Sequence, residues 1–305
     1  MVKLLIQIPA LNEAATLGQT LSELPRSLPG VDQIQVLVVD DGSHDATAEI
    51  ARAYGADVFS FPARQGLARV FATALRLSLE RGADVIVHTD ADNQYPARFI
   101  PALIQPVLDG KADMVIGARP IERIRQFSTL KKILQVVGSA VVRLLSGVDV
   151  VDAPSGFRAY SREAALRLTI VSGFTYTLET LLQAKAKGLT VTSVPIEVNT
   201  VTRPSRLFKN IPIYLARSFS TIVRIQLLYH PMELFMIFYA ASLLVWIWAC
   251  LVFDVSLIFL VLWTLLCLMA AYISDLLACN RRLHEEGLYY LRRQATLHTS
   301  GDKVK

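Results

Sequence analysis

Residues 90–94 read Asp-Ala-Asp-Asn-Gln and follow the apolar run Val85-Ile86-Val87-His88-Thr89, so Asp90 and Asp92 emerge together where a buried strand meets solvent. Residues i and i+2 of a strand share a face, and a turn at its end lets two short Asp side chains converge on one hard cation. Mg²⁺ or Mn²⁺ completes its shell with phosphate oxygens and water. Asp90 and Asp92, with Gln94 beside them, are therefore the candidate metal set for a bound diphosphate. The pattern has a plainer use as well: Asp and Asn at a strand end make Asx-turns and cap the next helix, which Pro96 opens. Only other parts of the chain decide between the two.

The elements that would position these groups alternate. Strand patterns at 3–8, 35–39, 58–61, 85–89 and 113–116 are mostly continuous apolar runs, which suit a sheet covered on both faces. Helical patterns lie between them at 14–24, 45–54, 67–81 and 97–108. This rhythm predicts parallel strands with crossover helices, an α/β doubly wound sheet whose ligands bind beyond the carboxyl ends of the strands. The first strand runs into Pro9-Ala10-Leu11-Asn12-Glu13 and the second into Asp40-Asp41-Gly42-Ser43-His44-Asp45, so three acid-bearing loops converge on one edge with 90–94. Asp41 can accept from a base N–H or a ribose hydroxyl, Gly42 permits a sharp turn, and Ser43 or Asp45 caps the following helix. Adjacent Asp40 and Asp41 repel one another and call for a compensating donor. Arg64-Gln65-Gly66-Leu67-Ala68-Arg69 places cations at a helix start, an arrangement poor for stability and good for a diphosphate.

Composition limits the classes available. The 305 residues are 53% hydrophobic with net charge +5, and the mean hydropathy of +0.41 is high for a soluble protein. The apolar character is concentrated between Pro231 and Ala278, where 232–253 and 255–277 are each long enough to cross a bilayer, with Asp254 at the bend. Arg203, Arg206, Lys209, Arg217 and Arg224 precede this region and Arg281, Arg282, Arg292 and Arg293 follow it, a positive-inside pattern that explains the basic balance without nucleic acid. The segment 207–229 has apolar residues at helical spacing with cations between them. It reads as a helix lying in the headgroup layer or, alternatively, packed on the first domain. The beginning of the chain lacks a signal-peptide pattern, and Cys250, Cys267 and Cys279 have no paired spacing. The expected organisation is a catalytic domain at 1–200, a basic amphipathic juxtamembrane segment at 201–230, a transmembrane hairpin at 231–280 and a cytoplasmic tail at 281–305, patternless and mobile beyond Arg293. The protein is then an integral membrane protein whose first domain faces the cytoplasm.

The series Pro9 to Glu13, Asp40 to Asp45, Gly66-Leu67-Ala68, Asp90 to Gln94, Gly117-Ala118-Arg119 and Ser155-Gly156-Phe157-Arg158 resembles the ordered motifs of family 2 glycosyltransferases. Within them it is most similar to dolichyl-phosphate mannose synthases and bacterial polyprenyl-phosphate glycosyltransferases. The resemblance runs from about residue 3 to the second apolar helix, and its weight lies in the order of six motifs. It implies a GT-A fold (Rossmann-like, mostly parallel sheet) with a C-terminal two-helix hairpin, a nucleotide-sugar donor, Mg²⁺ or Mn²⁺, inversion at the anomeric carbon and a polyprenyl phosphate acceptor at the bilayer of a bacterial or archaeal plasma membrane. Carried over, Pro9, Leu11, Asn12, Glu13, Asp40, Asp41, Ser43 and Gly66 belong to the donor site with Asp90, Ala91 and Asp92. Asp90, Asp92 and Gln94 hold the metal. Arg119 meets donor phosphate or sugar, although Ala118 replaces the family's serine. Ser155 and Gly156 line the acceptor pocket, and Arg203, Ser205 and Arg206 resemble the family's Ser-Lys-Leu stretch, with Arg in place of Lys. Asp92, Arg119 and Arg206 are the implied catalytic set.

Elementary chemistry points the same way. A sugar hydroxyl acceptor needs a base, commonly a carboxylate. A lipid monophosphate, with a second pKa near ~6, is already an oxyanion at neutral pH. Cations should therefore surround the acceptor, supplied by Lys131, Lys132 and Arg143 on one side and Arg203, Arg206 and Lys209 on the other; Lys131 and Lys132 also fit a solvated helix face. Glu179 is the base that a hydroxyl acceptor would use, and otherwise a structural or sugar-contact residue. A processive polysaccharide synthase would share the donor site but needs a Gln-x-x-Arg-Trp motif, and Trp246, Trp248 and Trp263 all fall in the apolar hairpin. A noncatalytic membrane scaffold would have no use for Asp90, Asp92 and Arg119. Assembly as a homo-oligomer is compatible with every part of this reading.

Overall fold

The structure, a computed structural model, describes residues 1–124, 127–199, 211–253 and 257–301. Seven strands form one sheet: β1 (Lys3–Ala10), β2 (Gln33–Asp40), β3 (Asp57–Ser60), β4 (Val85–His88), β5 (Met114–Ala118), β6 (Arg158–Ser161) and β7 (Val191–Pro195). Their spatial order is β3-β2-β1-β4-β6-β5-β7. All pairings are parallel except those of β6, which runs antiparallel between β4 and β5. Helices α1 (Leu17–Glu23), α2 (Thr47–Ala53), α3 (Leu67–Glu80) and α4 (Ile100–Leu108) follow β1 to β4 in turn, the last after a 3₁₀ turn at Ala97–Phe99. Next come α5 (Thr129–Ser146), α6 (Arg162–Arg167) and α7 (Tyr176–Ala186), then α8 (Ile211–Tyr229), α9 (Pro231–Phe253) and α10 (Leu257–Gly301).

The continuous apolar runs serve two cores, because side chains alternate across a sheet covered on both faces. Leu5, Leu37, Val39, Ile86 and Tyr160 point to one core with Phe71 and Leu75 of α3 and Leu178 and Leu181 of α7. Leu4, Ile6, Ile8, Val38, Val85 and Val87 point to the other with Leu17 of α1, Ala51 of α2 and Ile104 of α4. The sequence reading misses β6 and β7. Arg158-Ala159-Tyr160-Ser161 is short and carries no apolar run, and β7 is a half-exposed edge strand that ends in Pro195, where a missing N–H costs no ladder bond. The reversal of β6 has a functional effect: its first residues lie at the edge where β1, β2, β4 and β5 end.

Two helices pair apolar exposure with an anchored inner face. On α5, Leu130, Ile133, Val137, Val141 and Leu144 are exposed at helical spacing while Gln135, Ser139 and Val142 are buried. Helix α8 packs Ile225 and Tyr229 against Leu182 of α7 and exposes Ile213, Leu215 and Phe219. Packing on the first domain, one of the two readings of 207–229, is seen for the face of Ile225 and Tyr229. Helices α9 and α10 are long and apolar enough to cross a membrane. They are joined by a Tyr239–Thr264 hydroxyl contact of 3.2 Å and by Trp263 Nε1 donating to Ser242 Oγ at 3.1 Å, the kind of polar link that ties helices together in lipid. The bend residue Asp254 lies outside the described residues.

Helix α10 runs unbroken for 45 residues, about 67 Å at 1.5 Å per residue, and carries residues 294–301 as helix. Its second half rests on the first domain. Arg292 Nη1 donates to the carbonyls of Leu166 and Leu168, Tyr289 OH donates to Glu163, and Thr296 is buried. Lys187 pairs with Glu285 at 2.9 Å, Arg281 closes on the same carboxylate, and the Tyr229 hydroxyl donates to it. Cations that read as a positive-inside flank thus also dock the helix.

Candidate functional site

The loops after β1 and β2 are stitched together by their own polar groups. Asn12 adopts a left-handed φ of 53°, its backbone N–H donates to Ser43 Oγ at 2.8 Å, and its side-chain oxygen accepts from His44 N at 2.9 Å. Glu13 N donates to Thr47 Oγ1 and Ala14 N to Asp45. Ser43 is therefore an inter-loop bridge and not the expected helix cap. Asp45 does accept from Thr47 N at the mouth of α2. Pro9 and Leu11 are half-buried beside this seam and Asn12 is exposed. Gly42 is required twice over, by φ +76° and by a Cβ that would come within 2.9 Å of the Ala63 backbone.

The donors that adjacent Asp40 and Asp41 demand are present. Asp40 accepts from Ser43 N at 3.0 Å, and the Asp41 carboxylate accepts from Gln65 N at 2.6 Å and Gly66 N at 3.0 Å. Asp41 thereby fixes the start of α3 against the second loop. The Gly66 amide expected at the donor is bonded to that carboxylate.

Asp90 and Asp92 leave the end of β4, both partly exposed, with Ala91 buried between them. Asp92 Oδ1 accepts from Gln94 N at 3.1 Å, so the Asx-turn use is realised without consuming the rest of the carboxylate. Asn93 takes φ +55° and reaches Glu23 of α1, while Asn199 holds the carbonyls of Asn93 and Gln94 at 2.9 Å each. Among the described residues no cluster of three or more acids, histidines or cysteines could hold a metal by itself. The donor set is two hard carboxylates that need a ligand's oxygens to complete a shell. One cradle fits this use: a Cβ on Gly156 would stand 3.4 and 3.5 Å from the Asp90 oxygens, so the glycine keeps open the space beside that carboxylate. The residues present suit Mg²⁺ or Mn²⁺ carried with a diphosphate.

Arg119, at the end of β5, is buried and gripped by Asp152, whose oxygens accept from Nε at 2.6 Å and Nη2 at 3.0 Å. Asp152 also accepts from the Arg119 backbone N–H. The pairing fixes one edge of the guanidinium, and Nη1 has no hydrogen-bond partner among the described residues. Nothing in the local sequence marks Asp152, since it lies 33 positions away in a loop with no motif spacing of its own. Arg158, read only as part of a motif, proves to be fully buried. It donates to the carbonyls of Ser155, Ala153 and Thr177 and to Thr180 Oγ1, binding the 152–156 loop to α7. The Ser155 hydroxyl is fully buried with no partner among the described residues, and so lies beneath the surface expected for an acceptor wall.

On α5, Lys131 stands 3.6 Å over the Phe127 ring, and burial together with nearby Arg119 lowers its pKa. Lys132 donates to the Glu122 carbonyl at 2.7 Å. Arg143 lies 3.7 Å from Asp149. Arg203, Ser205, Arg206 and Lys209 lie outside the described residues. Glu179 is fully buried; its carboxylate accepts from Val171 N at 2.8 Å and Ser172 N at 2.9 Å, and burial raises its pKa.

Known proteins resemble the chain in sequence and in fold. The undecaprenyl-phosphate mannosyltransferase of Micrococcus luteus is 31% identical over 206 residues, covering 64% of this chain and 83% of the relative. The polyprenol monophosphomannose synthase of Mycolicibacterium smegmatis is 29% identical over 204 residues, covering 63% and 76%. Among solved structures, glucosyl-3-phosphoglycerate synthase from Mycobacterium tuberculosis, with Mn²⁺, UDP-glucose and phosphoglyceric acid bound, superposes with a TM-score of 0.60 at 23% identity over 73% of this chain and 79% of that one. That likeness establishes the shared GT-A fold. Residues 5–169, more than half of the chain, match Glycosyl transferase family 2. Because the match takes in every loop that brings an acid or Arg119 to the upper edge of the sheet, the chain belongs to that family.

Proposed function

We propose that this protein transfers a hexose from a UDP- or GDP-linked sugar to a polyprenyl phosphate at the cytoplasmic face of a membrane, with inversion and with Mg²⁺ or Mn²⁺. The observation that carries the reading is the meeting of Asp90 and Asp92 with the Asp152-braced Arg119 at one sheet edge, on a domain docked to apolar helices. The exposed apolar faces of α5 and α8 support placement of that edge at a bilayer surface. The names of the relatives support a polyprenyl phosphate acceptor.

The acceptor's phosphate oxygen attacks the anomeric carbon as the bond to the leaving diphosphate breaks. No proton has to move, since the monophosphate is already ionised. The placement of Glu179 fits this, because both of its oxygens accept from backbone N–H groups in the interior, out of reach of an acceptor hydroxyl. A divalent ion bound at Asp90 and Asp92 would neutralise charge developing on the diphosphate. Arg119 offers an anion the edge that Asp152 does not hold, while Asp152 stops the guanidinium from swinging. The loops around Asn12 and Asp41 present a preformed rim for the nucleoside. Burial and Arg119 disfavour the Lys131 ammonium, and an arriving phosphate would offset both.

Incubating membranes that contain the protein with labelled nucleotide sugar and undecaprenyl phosphate tests the reading. Label extracted by chloroform is the expected result. Label in an aqueous polymer would indicate a polysaccharide synthase, and no incorporation from any nucleotide sugar would leave a noncatalytic scaffold.

A further inference from the structure

Gly156 is the point at which the β6 loop meets Asp90, and two phenols hold it there. Its backbone N–H donates to Tyr95 OH at 3.2 Å, and its carbonyl accepts from Tyr176 OH at 3.4 Å. Each ring is fixed: Tyr95 stacks on Phe157 with centroids 5.2 Å apart, and Tyr176 stacks on Phe71 at 3.9 Å and 9°. Arg158 holds the carbonyls of Ala153 and Ser155 just before the glycine. The backbone of Gly156 is not left-handed, so the demand for glycine here is one of space. An added Cβ would stand 3.1 Å from the Tyr176 hydroxyl and 3.4 Å from the Asp90 carboxylate. The phenol and the carboxylate thus border the same small gap.

We propose that Tyr176 is a positioning residue for Asp90, acting through Gly156: its hydroxyl sets how closely the 155–156 peptide approaches β4 and so where the Asp90 carboxylate stands. The proposal rests on the metal and diphosphate reading of Asp90. Tyr176 comes from α7 and Tyr95 from the loop after β4, so the clamp also fixes two elements relative to the sheet edge. A residue that only filled the core would be replaceable by Phe without effect on the metal, whereas a positioning hydroxyl would not.

Mn²⁺ binding to the full-length protein in detergent, followed by loss of the free-ion paramagnetic resonance signal with UDP or GDP present, provides the test alongside thermal unfolding. Tyr176→Phe keeps the stack on Phe71 and should bind Mn²⁺ about fivefold more weakly, the equivalent of one lost hydrogen bond, while still unfolding cooperatively. Its Mn²⁺ requirement for turnover should rise, with kcat at saturating Mn²⁺ largely kept. Gly156→Ala should bind more weakly still. Because the nearest atom to the new methyl is the Tyr176 hydroxyl, the double variant should bind Mn²⁺ more tightly than Gly156→Ala alone, a coupling that independent sites do not show. Wild-type Mn²⁺ affinity in Tyr176→Phe, or losses that simply add in the double variant, would overturn the proposal. Asp92→Ala separates the two ideas. If it still binds Mn²⁺ like wild type, the metal reading fails and the positioning role falls with it; if it loses the ion while Tyr176→Phe keeps it, only the positioning role fails.

Discussion

At the scale of single residues, the proposed chemistry draws on partly exposed Asp90 and Asp92 and on buried Arg119, and groups buried around them hold them in place. The placement of Asp90, Asp92 and Arg119 at strand ends was legible because short polar motifs that follow apolar runs are informative in one dimension. Asp152, Arg158, Tyr95 and Tyr176 were not, because their work depends on contacts between distant segments. His88 is the clearest buried case. It precedes Asp90 by two positions, is fully buried, meets Gln7 at 3.1 Å through Nδ1, and lies against Phe71 and Tyr176. Burial, with Arg158 nearby, holds its pKa down from 6.5 to about 3. The folded state therefore favours neutral His88. The stability this gives is complete above about pH 6.5 and drains away as pH falls toward 3, at up to about 1.4 kcal/mol per pH unit. Thermal midpoints recorded from pH 7 to pH 4 should fall along that window, and His88→Gln should flatten the slope. An unchanged slope in His88→Gln would assign the acid sensitivity to other groups.

At the scale of elements, apolar runs made β1, β2, β4 and β5 readable, and turn residues placed α1 to α4 closely. Strands β6 and β7 escaped because a four-residue strand that begins with a buried arginine, and an edge strand with polar alternation, carry little hydrophobic signal. The docking of α10 escaped for a different reason: Arg281, Glu285 and Arg292 look like surface charge until α6 and α7 are brought against them. Lys187, Glu285 and Arg281 are each mostly withdrawn from water, with Glu285 between the two cations. Removing the carboxylate from such a cluster leaves like charges uncompensated and should cost about 3 kcal/mol locally. In Glu285→Ala, amide hydrogen exchange should quicken in α8 and in the second half of α10, while β1 and β4 stay protected. Equal protection in α8 would show that packing around Ile225, and not the ion pairs, secures the joint.

At the scale of the molecule, the composition break marked two apolar spans and the strand-helix rhythm marked the α/β sheet, but neither disclosed that one helix packs both on α9 and on the helices beside that sheet. Since α10 leaves the apolar region and continues along the domain, the sheet edge and the hairpin are joined by more than a linker. A chain ending at residue 230 should be released from membranes by carbonate, yet should unfold at lower temperature than the full chain, because the seats of Tyr289, Arg292 and Thr296 are left bare. Carbonate resistance in that variant would remove the hairpin as the anchor. An undiminished thermal midpoint would remove α10 as a brace.

The central claim is that two aspartates and a braced arginine serve an acceptor that arrives already ionised. The most direct measurement offers the purified protein undecaprenyl phosphate and, separately, undecaprenol of the same chain length, with one nucleotide sugar and Mn²⁺. A glycosyl phosphodiester should form from the phosphate alone, none from the alcohol, and none from either with Asp92→Ala or excess chelator. Glycosylation of the free alcohol at a comparable rate, or full turnover by Asp92→Ala, would contradict that claim.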